Sequence, residues 1–127
     1  MTTVDVAPNF WRVIAAANRD DQKLRVQLAA MSREELIRFY RDYIELAGTL
    51  REPPYAKPGA SDDASEDLSW WVVAQGEAVY RRILDHPPQM PHALPKDRAG
   101  LGFMSQIGNV FHERFSEELT EVDLGQV

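Results

Sequence analysis

The chain has 127 residues, with 44% hydrophobic and 27% charged side chains, no cysteine, and 14 basic against 20 acidic groups for a formal net charge of −6. A chain of this length can bury about two-thirds of its unfolded surface, so one hydrophobic core is attainable without staples. The missing thiols exclude a disulfide scaffold, a thiolate metal site and a cysteine nucleophile, and the acidic balance argues against direct binding of nucleic acid.

No apolar run approaches the roughly 18 residues of a membrane span, and the N-terminus lacks the apolar stretch of a secretory signal. The expectation is a cytoplasmic protein of a single domain over residues 1–127. Charge is uneven along it. Residues 1–60 carry nine basic and eight acidic groups, and residues 61–127 carry five and twelve. An excess of this kind in the second half is ordinarily a solvated surface, and it is the one asymmetry that could select a partner.

The spacing predicts four to five helices. The first opens near Pro8-Asn9 and carries Phe10, Trp11, Val13 and Ile14 to about Asn18, Pro8 suiting a first turn that needs no donor N–H. The second follows Asp20-Asp21, either of which can cap it, and aligns Leu24, Leu28 and Met31. The third has the clearest start, since Ser32-Arg33-Glu34-Glu35 fits a capping box. Behind it Leu36, Ile37, Phe39, Tyr40, Tyr43, Ile44 and Ala47 form a broad apolar stripe. Arg38 and Asp42, four apart, read as an exposed pair of small energetic value, and Gly48 as the place where the helix weakens.

Residues 51–60 then break the periodicity with Pro53, Pro54, Pro58 and Gly59, and are expected to form a mobile proline-rich loop. A fourth helical stretch starts within Ser61-Asp62-Asp63 and reaches about His86, where Pro87-Pro88 stops it. Gly76 lies in its middle and either admits a close neighbour or divides the stretch in two. A second proline-rich loop, with Pro87, Pro88, Pro91 and Pro95, is expected to run extended over the surface. The last helix begins near Leu101 to Phe103 and aligns Met104, Ile107, Val110, Phe111, Phe115 and Leu119, after which residues 120–127 are expected to fray. No alternating pattern of a strand survives anywhere. The class is all-α.

Two stretches carry a family resemblance. One is Phe10-Trp11 with Ile14, followed by Met31-Ser32-Arg33-Glu34-Glu35-Leu36 and Phe39; the other is Ser61-Asp62-Asp63, then Asp67, Trp71, Gly76 and Val79-Tyr80. In order and spacing they resemble the bacterial family named domain of unknown function 4240, over roughly residues 9–90, and the final helix looks like that family's weaker C-terminal helix. The sequence also departs from the pattern. Ser65 stands where the family shows Phe and Ser69 where it shows Arg, and the first proline-rich loop replaces a Trp-containing helical segment. The resemblance implies a small helical domain and no assigned reaction.

The densest polar constellation is Asp62, Asp63, Glu66 and Asp67. On a helix these fall into two i, i+4 pairs, and acids at a helix start are favoured by its dipole, so capping is the plain reading and a hard-cation site the sharper one. His86 and His92 flank a loop of unspecified geometry, and His112 sits between Phe111 and Glu113 as a boundary residue. No nucleophile elbow, phosphate loop or paired-histidine zinc motif occurs, so no catalytic residue, metal ligand or cofactor is assigned. Trp11 and Trp71 read as core, whereas Trp70 falls about 100° from Trp71 and is expected to be partly exposed, as interface anchors are.

The leading expectation is therefore a non-enzymatic module that binds another protein, in a regulatory or toxin-neutralising role, through Asp62, Asp63, Asp67 and Trp70. The rival is a small-ligand-binding domain or enzyme whose site lies where Ser61-Asp63 meets Tyr55, Trp71 and Tyr80. A third reading makes the acidic second half a mimic of nucleic acid.

Overall fold

A computed structural model describes residues 9–56 and 62–119, the side chains of Asp62 and Asp63 excepted. Its described residues form six α-helices: α1 Asn9–Ala17, α2 Asp21–Ala29, α3 Arg33–Leu50, α4 Asp62–Ala74, α5 Glu77–Asp85 and α6 Phe103–Phe115. A short 3₁₀ turn, Pro87–Gln89, follows α5, and no strand occurs among the described residues. The all-α class holds, with six helices in place of four to five.

The extra helix arises at Gly76. Its φ of +116° and ψ of 172° lie in a region that is essentially restricted to glycine, and they break the ladder between α4 and α5. The other boundaries follow local chemistry. Asn18 and Arg19 both adopt left-handed φ, ending α1, and Asp20 then caps α2 by accepting from the Lys23 N–H at 2.9 Å. At the start of α3 the Ser32 Oγ accepts from the Glu35 N–H at 3.1 Å, while the Glu35 carboxylate accepts from the Ser32 N–H at 2.8 Å.

Elsewhere packing overrides the local signal. Helix α3 runs through Gly48 to Leu50, because burial of Leu46, Ala47 and Leu50 outweighs the cost of about 1 kcal/mol for a helical glycine. The second proline-rich loop is not simply laid over the surface: Met90 is buried in the core and Leu94 is packed against it. The Trp71 indole N–H donates to the Asp97 carbonyl at 2.9 Å, and the Gln75 amide to the Ala99 carbonyl at 3.0 Å. Side chains of α4 thus satisfy loop carbonyls that lack a regular partner. Helix α6 ends at Phe115, where Ser116 turns left-handed, yet Leu119 beyond it is still buried.

The core is built by Phe10, Val13 and Ile14 of α1, Leu24 and Leu28 of α2, Leu36, Phe39, Tyr43, Leu46 and Leu50 of α3, Leu68, Val72 and Val73 of α4, Tyr80 and Ile83 of α5, and Phe103, Ile107, Val110 and Phe111 of α6. Helix α6 packs against α2, α3 and α4. Its Arg114 guanidinium donates to the carbonyls of Leu28 and Met31 at 3.1 and 2.6 Å, closing the C-terminal end of α2. In the first proline-rich loop, residues 51–56 form turns, and the Tyr55 hydroxyl donates to the Leu84 carbonyl of α5 at 3.1 Å. Positions 57–60 of that loop and the tail 120–127 lie outside the described residues. Among the described residues no helix is long and apolar enough to cross a membrane.

Candidate functional site

Helix α4 carries the residues singled out from the sequence. Positions 62 and 63 open the helix, Asp67 is exposed one turn on, and Trp70 is half-buried a turn later. Helical phase places positions 63, 67 and 70 on one stripe. Trp70 is anchored from beneath: its backbone carbonyl accepts the Tyr43 hydroxyl at 2.8 Å, and the two rings lie 6.0 Å apart. Glu66 leaves the acidic group to meet Arg51 at 3.5 Å.

The buried face of α4 differs from the expected one. Leu68, Ser69, Val72 and Val73 face the core, and Trp71, expected inside, is half-buried against the loop at Asp97. Ser69 is fully buried and its hydroxyl donates to the Glu66 carbonyl at 2.7 Å, so the position has no room for a long charged side chain. Trp11 is likewise half-buried, edge-on to Phe10 and 5.5 Å from the Tyr80 ring.

The residues named for the rival site do not present a common set of polar groups. Tyr80 is buried and donates its hydroxyl to the Leu46 carbonyl at 2.7 Å, and burial pushes its pKa up to about 12. Trp71 and Tyr55 spend their donors on backbone carbonyls, and Ser61 lies outside the described residues. A shallow cavity of about 150 Å³ does lie nearby, between Leu50, Tyr55, Ser65, Leu68, Met90 and His92, with mostly apolar walls. Among the described residues no three His, Cys, Asp or Glu side chains converge on a point that could hold a metal.

The larger cavity, about 250 Å³, was not foreseen. It opens between the first turn of α1 and one face of α3, with Phe10, Met31, Glu35, Arg38, Phe39 and Asp42 in its wall. Asp42 is 6% exposed, so of the two residues expected to stand at the surface Arg38 is exposed and the Asp42 carboxylate is buried. The available signal was the i, i+3, i+4, i+7 run Glu35, Arg38, Phe39, Asp42, which mixes charge into the aromatic stripe.

A family model described as Protein of unknown function (DUF4240) matches residues 7–117, from α1 to the end of α6. The chain belongs to this family. The match covers both stretches that carry the resemblance and extends over the final helix of the DUF4240 domain. No curated protein and no solved structure matches it.

Proposed function

We propose that this DUF4240 domain is a non-enzymatic, cytoplasmic protein-interaction module that docks a basic segment of a partner on the outer stripe of α4. The supporting observation is the half-buried Trp70, held in place by Tyr43 and one turn from the exposed Asp67. An aromatic ring fixed at low entropic cost one turn from an exposed carboxylate suits a segment that offers Lys or Arg with apolar neighbours. The acidic excess of residues 61–127 would speed the encounter. A regulatory or toxin-neutralising role agrees with this reading.

The test is analytical size-exclusion and titration against co-encoded proteins, with Trp70→Ala and a triple variant of Asp62, Asp63 and Asp67 to Asn. The triple variant should keep the wild-type melting curve to within a few degrees, and Trp70→Ala, which loses a half-buried ring packed on the core, should melt lower but still cooperatively. Trp70→Ala should weaken binding by roughly tenfold or more, as interface tryptophans do. The triple variant should slow association and flatten its dependence on salt. Wild-type binding by both variants removes this stripe from consideration.

A further inference from the structure

Between the 3₁₀ turn and α6 the chain crosses the last turns of α4 as a short exposed segment, Pro95 to Ala99. Before it Leu94 packs against the core, and after it Gly100 and Phe103 are buried. Lys96, Asp97 and Arg98 between these anchors are exposed. Polar contacts hold the segment down. The Trp71 indole N–H donates to the Asp97 carbonyl at 2.9 Å, and the Gln75 amide to the Ala99 carbonyl at 3.0 Å. The Arg19 guanidinium, from the turn between α1 and α2, donates to Asp97 Oδ2 at 2.8 Å and to Gln75 Oε1 at 3.3 Å. Asp97 Oδ1 accepts the Ala99 N–H at 3.0 Å. One carboxylate thus folds the segment on itself and latches it to a distant turn.

This fastening is weak by design of its setting. The Arg19 and Asp97 side chains are 43% and 57% exposed, so water and salt screen their attraction. Arg19 also stands on left-handed backbone, φ +60°, a conformation uncommon outside glycine. A segment with exposed hydrogen bonds and few buried side chains opens well below the free energy of global unfolding.

Its chemistry matches what the α4 stripe is built to take. Leu94, Pro95, Lys96 and Arg98 place two cations beside apolar neighbours, and the segment rests on Trp71. Trp71 follows Asp67 by four residues and lies about 40° further round the helix, so it borders the stripe that carries Trp70. We propose that residues 95–99 are an autoinhibitory strap, a basic segment of the chain's own latched over Trp71, which lifts so that a partner's basic segment can extend from Trp70 onto Trp71. The role of the strap rests on the α4 stripe as the docking surface; its lifting does not.

The lifting is read on the full chain alone, by hydrogen exchange in NMR. The Trp71 indole N–H and the amides of Ala99 and Leu101, the last bonded to the Arg98 carbonyl at 3.0 Å, should exchange through one common opening. They should exchange faster than the amide of the buried Ile107 in α6. Arg19→Gln should lower their protection about two- to fivefold, the range of an exposed ion pair. Asp97→Asn keeps an acceptor for the Ala99 N–H and should do the same, and the double variant should add nothing further. Raising sodium chloride from about 0.02 to 0.5 M should lower protection in the wild type and not in Arg19→Gln. Unchanged protection in both variants, or exchange of the Trp71 indole only with Ile107, overturns the strap.

Autoinhibition is read by titrating the same proteins with the acetylated, amidated peptide Leu-Lys-Leu-Arg-Leu-Lys. A strap that is closed most of the time reduces apparent affinity by the open fraction, so Arg19→Gln should bind the peptide about two- to fivefold more tightly. Trp71→Phe, which removes the donor that holds Asp97, should also bind it more tightly. Binding that needs Trp70 but ignores Arg19→Gln overturns the strap and leaves the docking stripe standing. Absent binding, or binding that Trp70→Ala does not weaken, sinks the stripe and the autoinhibitory role together.

Discussion

Tyr43 and Tyr80 show how single side chains tie the helices together. Each places a ring in the core and hands its hydroxyl to a backbone carbonyl of another helix, Trp70 in α4 and Leu46 in α3. Burial disfavours the phenolate, so both pKa values are raised, Tyr80 to about 12. Below pH 10 both rings are protonated in the folded and unfolded chain alike. Above it the unfolded chain releases protons that the fold retains, and stability should fall by about 1.4 kcal/mol per pH unit for each ring until its folded pKa is reached. Denaturation midpoints between pH 9 and about 11.5 should show this decline, and the Tyr43→Phe, Tyr80→Phe double variant should show a shallower one. Equal slopes would mean that these hydroxyls are not protected by the core. Carboxylates work in the opposite direction. The Ala99 N–H and the Arg19 guanidinium lower the pKa of Asp97, so its contribution is lost as the pH falls through that lowered value.

Among the elements, glycines separate backbone strain from helix propensity. At Gly76 an added Cβ would meet nothing within 4 Å, but φ is +116°, so Gly76→Ala should cost about 1–3 kcal/mol through the backbone alone. Gly100 has φ +91°, and its Cβ would come to 2.7 Å from the Ala74 Cβ at the end of α4, so Gly100→Ala should cost more. Gly48 sits inside α3 with open space around it, and Gly48→Ala should stabilise the chain by about 1 kcal/mol. Chemical denaturation of the three variants checks the order. A neutral Gly76→Ala would show that α4 and α5 can join as one continuous helix.

For the whole molecule, α6 is the last helix among the described residues and one of the most widely packed. It buries Phe103, Ile107, Val110 and Phe111 against α2, α3 and α4, and it sends Arg114 to the end of α2. Arg25 to Glu113 and Arg33 to Glu117, both at 2.6 Å, line the same seam from α2 and α3. These pairs are solvent-exposed and add little, so the apolar face carries the docking. A chain ending at residue 102 should therefore lose cooperative unfolding and bind hydrophobic dyes. Arg25→Gln or Arg33→Gln should change stability by less than about 1 kcal/mol. Circular dichroism with thermal melting distinguishes the two outcomes.

What the amino-acid order determined by itself is local. The Ser32–Glu35 box, the Asp20 cap and the stop before Pro87 each depend on groups within four residues of one another, and each stands where the spacing put it. The all-α class follows from the same short-range periodicity. The candidate sites were legible only in part: the order of residues marks the stripe from 63 to 70, but not the cavity at Asp42. Tertiary structure decided the rest. Ser69 and Val73 face inward where Trp71 was expected, Met90 leaves a proline-rich loop to enter the core, and Leu119 is buried beyond the end of its helix. Asp42 lost its place at the surface in the same way. A helical pattern names several nearly equivalent faces, and the one that is buried depends on which side chains of distant segments stand opposite it.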